Sequence, residues 1–297
     1  METTYATATE REIASQPVCW ARAIALASSP EIESVLPHAG ESVAVVGCGT
    51  SWFIAQAYAT LRENLGLGVT DAFAASHVPA GRAYDRIVAI TRSGTTTEVL
   101  DLLRSAAART LVITGDPTSP APAIADESIV LDFADEASVV QTRFATTALM
   151  LLRAHLGEDL APVIADGERA VADPIDPALV SAEQFTFLGQ GWAYGLARES
   201  ALKMREAAGA WTESYLAMEY RHGPISIAAP GRVVWALGAL PEGLAADIDH
   251  TGARLESAGL DPVAELVRVQ RLAVLLAEAR GLNPDTPRNL TRSVILG

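Results

Sequence analysis

Short apolar runs alternate along this chain with longer amphipathic stretches. SVAVVG from Ser42, GVTDAF (68–73), RIVAIT (86–91), TLVITG (110–115) and SIVLDF (128–133) have the length and β-branched content of strands. Most are separated by helix-period segments, the longest after Gly49, after Gly94 and over 139–156. Strand alternating with helix predicts an α/β fold with a parallel, doubly wound sheet. The stretch 157–182, with APV, ADP and DPA, predicts a short helix and a linker. Beyond it come strands at FTFLG and VVWALG (233–238), helices after Gly191 and around 262–280, and the polar tail NPDTPRNLTRSVILG.

One pattern occurs twice. SVAVVGCGTSWFIAQAYATL from Ser42 and EQFTFLGQGWAYGLARESALKM from Glu183 each run from a short strand through G-x-G into a long helix. Two successive α/β units are expected, with boundaries at 1–160, 161–182 for the linker region, and 183–297. The first 40 residues predict one or two helices with a T-x-x-E box from Thr9 to Glu12, too short for an added DNA-reading domain.

Composition narrows the function. The 297 residues are 49% hydrophobic and 20% charged, as in a globular chain, and 36 acidic against 22 basic residues give a net charge of −14. That balance argues against a nucleic-acid partner. No apolar run approaches the ~20 residues of a membrane span, and residues 1–16 are polar and acidic, unlike a signal peptide, so no membrane partner and a cytoplasmic location are expected. Cys19 and Cys48 are too few for a disulfide framework or a zinc site, and no metal-ligand spacing occurs among the five histidines.

Two turns carry candidate chemistry, GCGTS and TRSGTT. Each follows a predicted strand and opens a helix, where free N–H groups and a partial positive charge attract anions. Gly49 and Gly94 let the backbone approach a ligand, while Thr50, Ser51, Thr91, Ser93 and Thr96 offer hydroxyl donors. The plain alternative is that these hydroxyls cap helices. A nucleotide is disfavoured: there is no G-x-x-x-x-G-K-[ST], the first turn reads G-x-G-x-x-W, and Asp71 alone is weak support for a ribose. A sugar phosphate or another small phosphomonoester, with no cofactor, fits better.

Within RESALKMRE, Glu199, Lys203 and Glu206 share one helix face. The plain alternative is a solvated ion-pair face. His222 follows in RHGPISI, a context that His38, His77, His155 and His250 lack.

GCGTS, TRSGTT and ARESALKMREAAGAWTESYLAMEYRHGPISI, with the ending NPDTPRNL, together resemble the sugar isomerase (SIS) domain family, and most of all the isomerase part of glucosamine-6-phosphate synthase. The likeness spans residues 40–297. It implies two SIS domains of flavodoxin-like topology, a homodimer with shared active sites, and a phosphate held by Ser51, Thr91, Ser93 and Thr96, with Cys48, Gly49, Thr50, Arg92, Gly94 and Gln141 completing the substrate site. Glu206 then matches the proton-transfer glutamate, His222 the ring-opening histidine contributed to the partner subunit's site, and Lys203 and Glu199 the charged residues that organise the pocket. Three departures stand out. The METTYAT start lacks the glutamine-hydrolysing domain, so the expected enzyme does not use glutamine. The family's Schiff-base lysine falls at Arg292, which cannot form an imine but can stabilise an oxyanion. Arg92 and Gln141 replace residues that are uncharged and small in the family, which implies a changed substrate. The expected activity is isomerisation of a hexose 6-phosphate, or deamination of an amino sugar phosphate, through an enediol. The alternatives are a fructosamine-phosphate deglycase and a non-catalytic sugar-phosphate sensor.

Overall fold

The structure, a computed structural model, describes residues 7–296. Residues 1–6 and 297 lie outside it, and with them most of the METTYAT start on which the missing glutaminase domain was read. In chain order the elements are α1 (Ala8–Ala14), α2 (Gln16–Ala27), α3 (Pro30–Glu33), β1 (Val43–Gly47), α4 (Thr50–Asn64), β2 (Thr70–Ala74), β3 (Arg86–Thr91), α5 (Thr97–Ser105), β4 (Arg109–Thr114), α6 (Ala121–Ile124), β5 (Glu127–Val130) and α7 (Arg143–His155). There follow α8 (Ala161–Ala172), β6 (Gln184–Gly189), α9 (Ala193–Ala208), β7 (Thr212–Leu216), β8 (Arg232–Leu237), α10 (Leu244–His250), β9 (Arg254–Glu256) and α11 (Pro262–Ala279).

All strands pair in parallel. The five-stranded sheet has the order β2-β1-β3-β4-β5 and the four-stranded sheet the order β7-β6-β8-β9. The first is the flavodoxin-like order, and the second repeats it with one strand fewer. Strands β1 and β3 are buried along their whole length, which is why both read as unbroken apolar runs rather than as alternation. On one face Ala44, Val46, Ile87, Ala89 and Val112 pack with Val99, Leu100 and Leu103 of α5. Burying each of these large aliphatic side chains contributes about 1.5–3 kcal/mol. In the other sheet Leu188 and Val234 pack with Tyr220, Leu244 and Ile248.

The duplicated G-x-G pattern has a physical counterpart. A Cβ on Gly47 would sit 2.6 Å from Ser51 Cβ, and one on Gly189 would sit 2.3 Å from the Ala193 carbonyl oxygen. In both places the first helical turn comes back against the strand end, and only glycine leaves room. Gly49 and Gly191 share a positive φ of 55°, a conformation that L-residues with a side chain adopt at a cost.

The compact units are interleaved in sequence, unlike the contiguous division expected. One combines Ser15–Glu136, Arg143–Leu160 and the tail from Thr291; the other combines the described residues up to Ala14, Ala137–Thr142 and Ala161–Leu290. Hydrogen bonds explain the exchange. Asp285 accepts the Ala8 and Thr9 amides at 2.9 and 2.8 Å and the Thr9 hydroxyl at 2.6 Å, and Glu12 accepts the Ala137 amide at 2.6 Å and the Ser138 hydroxyl. The helix start therefore differs from the Thr9/Glu12 box. Thr7 and Glu10 form the reciprocal pair instead, the Glu10 amide on Thr7 Oγ1 at 3.1 Å and the Thr7 amide on Glu10 Oε2 at 2.9 Å. Residues 161–182 are also more ordered than a linker, since α8 packs against α11. Among the described residues no helix is long and apolar enough to cross a membrane.

Candidate active site

In the five-stranded sheet the order reverses between β1 and β3, and the two glycine turns leave the carboxyl ends of those adjacent strands, the place where open α/β sheets bind ligands. Thr50 and Ser51 open α4, and Thr96 is the residue preceding the first turn of α5. Neither helix start has a side-chain cap. The hydroxyls of Ser51, Thr91 and Thr96 have no hydrogen-bond partner among the described residues, which disfavours the capping alternative and leaves them available to an anion.

The TRSGTT turn is held from below. Gly94 has φ +61°, and a Cβ there would meet Ser119 Oγ at 1.9 Å. The Gly115 amide donates to the Arg92 carbonyl at 3.0 Å and the Ala121 amide to that of Gly94 at 3.2 Å. Ser93 Oγ accepts the Thr95 amide at 3.3 Å and shares a hydrogen bond with Thr95 Oγ1 at 3.0 Å. Cys48 packs against the sheet face, and burial together with the Glu98 carboxylate pushes its thiol up, as suits a packing residue rather than a nucleophile.

Arg92 and Arg292 both have partners within the protein. Arg92 is 1% exposed, faces the buried Glu136 at 3.4 Å and donates to the Arg292 carbonyl at 3.1 Å. It supports the turn from inside. Arg292 donates to both carboxylate oxygens of Asp135, at 2.6 and 2.8 Å, and to the Glu136 carbonyl. Three of its five N–H groups are thus committed within its own unit. The tail beyond it continues across the turn: Thr95 Oγ1 donates to Ser293 Oγ at 2.9 Å, the Thr97 amide to the Val294 carbonyl at 3.2 Å, and the Leu296 amide to Thr97 Oγ1 at 2.9 Å. Arg292 thus fastens the tail to the loop of Asp135 and Glu136, with two N–H groups to spare.

The other unit holds Glu199, Lys203, Glu206, His222 and Gln141. The plain alternative for the α9 charges, a solvated face, fails on burial: Glu199 is 0% and Lys203 1% exposed. Lys203 Nζ lies 3.4 Å from Glu199 Oε1 and contacts Glu206 Oε2. One ammonium therefore bridges two carboxylates at successive turns, and only Glu206 reaches the open. It lines a cleft of about 430 Å³ together with Arg205, Asn283, Thr286, Arg288 and Asn289. His222 follows a 3-10 turn (Glu219–Arg221), is exposed, and does not line that cleft. Gln141 is half-buried, with Oε1 shielded and unpartnered.

With this geometry in view, the comparisons with known proteins are informative. No family model matches the chain. A glutamine–fructose-6-phosphate aminotransferase (isomerizing) of Methanothermobacter thermautotrophicus is 29% identical, over 89% of this chain and 53% of its own length. That of Halobacterium salinarum is 30% identical, over 84% of this chain and 51% of its own length. Its homologues are the isomerase (SIS) part of such aminotransferases. The chain is a relative of that isomerase part. It spans about half the length of the curated relatives it matches. Among solved structures, the glucosamine-6-phosphate deaminase of Thermotoga maritima matches with a TM-score of 0.81 and 25% identity, over 98% of this chain and 100% of its own.

Several residues at these sites escaped the sequence reading. Asp135 and Glu136, the partners of Arg292 and Arg92, sit in an ordinary acidic loop, FADEAS, that no motif marks. Arg205 and Arg288 lay inside the quoted motifs, but nothing in their spacing shows that both line the Glu206 cleft. The repeated polar and proline pattern of NPDTPRN was the available signal.

Proposed function

We propose that the chain is a phosphosugar enzyme that moves a proton between C1 and C2 of an open-chain hexose 6-phosphate, with an amino sugar phosphate as the favoured substrate. The observation that carries this reading is that Glu206 is, among the described residues, the sole carboxylate lining its cleft and is gripped from behind by the buried Lys203. The Lys203 ammonium holds the carboxylate in place at the cleft. Glu206 takes the proton from one carbon and returns it to the next through an enediol. For a 2-amino sugar the same shift leaves a C2 imine, which water hydrolyses to ketose and ammonia.

The free hydroxyls of Ser51, Thr91 and Thr96, with Ser93, support a phosphate at the turns of β1 and β3. The resemblance assigns ring opening to His222, which is exposed, in the partner's site, and so implies a homodimer with shared sites. Arg292 serves as a positioning residue for the tail in this reading, and catalysis proceeds on the free carbonyl. The test is a screen of glucosamine 6-phosphate, fructose 6-phosphate and their unphosphorylated forms, reading ketose and ammonia together. Turnover restricted to phosphorylated sugars is expected. Equal turnover without phosphate, or no turnover with any hexose phosphate, contradicts the proposal.

A further inference from the structure

We infer that Glu98 is a specificity-determining residue, whose carboxylate takes the C2 ammonium of an amino sugar phosphate held at the β1 and β3 turns. Glu98 is the second residue of α5, two positions past the TRSGTT turn. Its side chain is half-buried, and Oε2 is shut off from solvent with no hydrogen-bond partner. Among the described residues no cation pairs with it either. A buried polar atom without a partner costs the desolvation of that group, so such atoms are rare in native proteins and call for a donor from elsewhere.

The carboxylate is placed on the ligand side of a single compact unit. Leu102 lies one helical turn on from Glu98 and packs on the same apolar cluster as Cys48 of the GCGTS turn, so this face of α5 looks onto the sheet. Helical side chains lean towards the N-terminus, which carries the Glu98 carboxylate towards the carboxyl ends of the strands. Burial, and after it the Glu98 charge, push the Cys48 thiol up, as expected of a carboxylate beside that turn. A carboxylate in the first turn of a helix is favourable in itself, but that interaction works from an exposed position and does not call for a shielded oxygen. The choice of ligand group follows from charge. An ionised carboxylate only accepts, so its partner is an O–H or N–H donor. In the phosphosugar reading, on which this inference rests, a phosphate sits at Ser51, Thr91, Ser93 and Thr96, and an uncompensated carboxylate nearby repels it. A sugar hydroxyl would satisfy Oε2 and leave that repulsion in place. An ammonium removes it and forms a charge-assisted hydrogen bond. The substrate class is therefore a hexose phosphate with a free amine at C2, in preference to its hydroxyl counterpart.

The experiment is titration calorimetry at about pH 6.5, where an amine of ordinary basicity is protonated. The probes are 2-amino-2-deoxyglucitol 6-phosphate and glucitol 6-phosphate, which differ only at C2 and, having no carbonyl, do not turn over. Wild type should bind the amine probe roughly tenfold to a hundredfold more tightly, the advantage expected of a hydrogen bond between charged groups. Glu98→Gln keeps the shape of the side chain and removes its charge. It should abolish that advantage and bind glucitol 6-phosphate no more weakly than wild type does, which also shows that the variant is folded. Equal binding of the two probes by wild type, or an advantage that persists in Glu98→Gln, overturns the inference and leaves the phosphosugar reading standing. So does weaker binding of glucitol 6-phosphate by Glu98→Gln, which makes Glu98 a support of the turn. If neither probe nor fructose 6-phosphate binds the wild-type protein, the phosphosugar reading falls and this inference with it.

Discussion

Lys203 holds its charge almost wholly out of water, and it is tolerable there only because Glu199 and Glu206 flank it. Removing one member of a buried ion pair costs about 3–5 kcal/mol, because the group left behind stays charged without compensation. Lys203→Met should therefore lower stability by that order in denaturant titration. The double variant Lys203→Met/Glu199→Leu should regain most of it, since the unpaired carboxylate is gone as well. Gly94 is the other residue with no slack. A methyl group there meets Ser119 Oγ, and the left-handed backbone alone costs a non-glycine residue about 1–2 kcal/mol. Gly94→Ala should thus lower the melting temperature and weaken the binding of hexose phosphates together. A variant with normal stability and normal phosphate affinity would show that the turn is neither tight nor a cradle.

At the scale of elements, two fastenings can be tested. Burial alone would raise the Asp285 carboxyl, but hydrogen bonds from the Thr9 hydroxyl and from the Thr9 and Ala8 amides outweigh it and hold the group below its usual value. A depressed folded-state pKa gives stability that is complete above the unfolded value of ~4 and is lost as pH falls through the folded one. Asp285→Asn should be less stable than wild type above about pH 5, and the gap should narrow below about pH 4. A pH-independent gap would mean that the loss is one of packing. The tail offers the second test: Arg292→Ala frees the segment that covers the Thr97 amide, so exchange of that amide with solvent should quicken in the variant. Most elements were legible from pattern alone, β3 to the residue, because buried parallel strands are apolar throughout. β7 was missed since TESYL, at the sheet edge, carries a glutamate and is only half covered, and β9 since it has three residues. The Glu199–Lys203–Glu206 row was readable from its spacing. Its burial was not, and neither were the partners that engage Arg92 and Arg292, because they are distant in sequence.

Across the whole molecule, one α/β pattern occurs twice with its glycine constraints intact, but the copies carry different side chains. The first keeps the hydroxyl-bearing turns; the second keeps the buried charge row and the donor-lined cleft. If a homodimer shares its sites, mixing Glu206→Gln with His222→Ala should restore activity to about a quarter of wild type. Random exchange makes half the dimers mixed, and each of these holds one intact site of two. No rescue in verified heterodimers would place both residues in one subunit's site. The most direct test of the central claim follows the proton itself. Glucosamine 6-phosphate or fructose 6-phosphate is incubated with the protein in deuterium oxide, and the sugar is read by NMR. Wild type should place deuterium at C1 or C2, and Glu206→Gln should bind the sugar phosphate yet leave both carbons undeuterated. No incorporation by wild type, or equal incorporation by Glu206→Gln, would contradict the assignment of this cleft as the site of proton transfer.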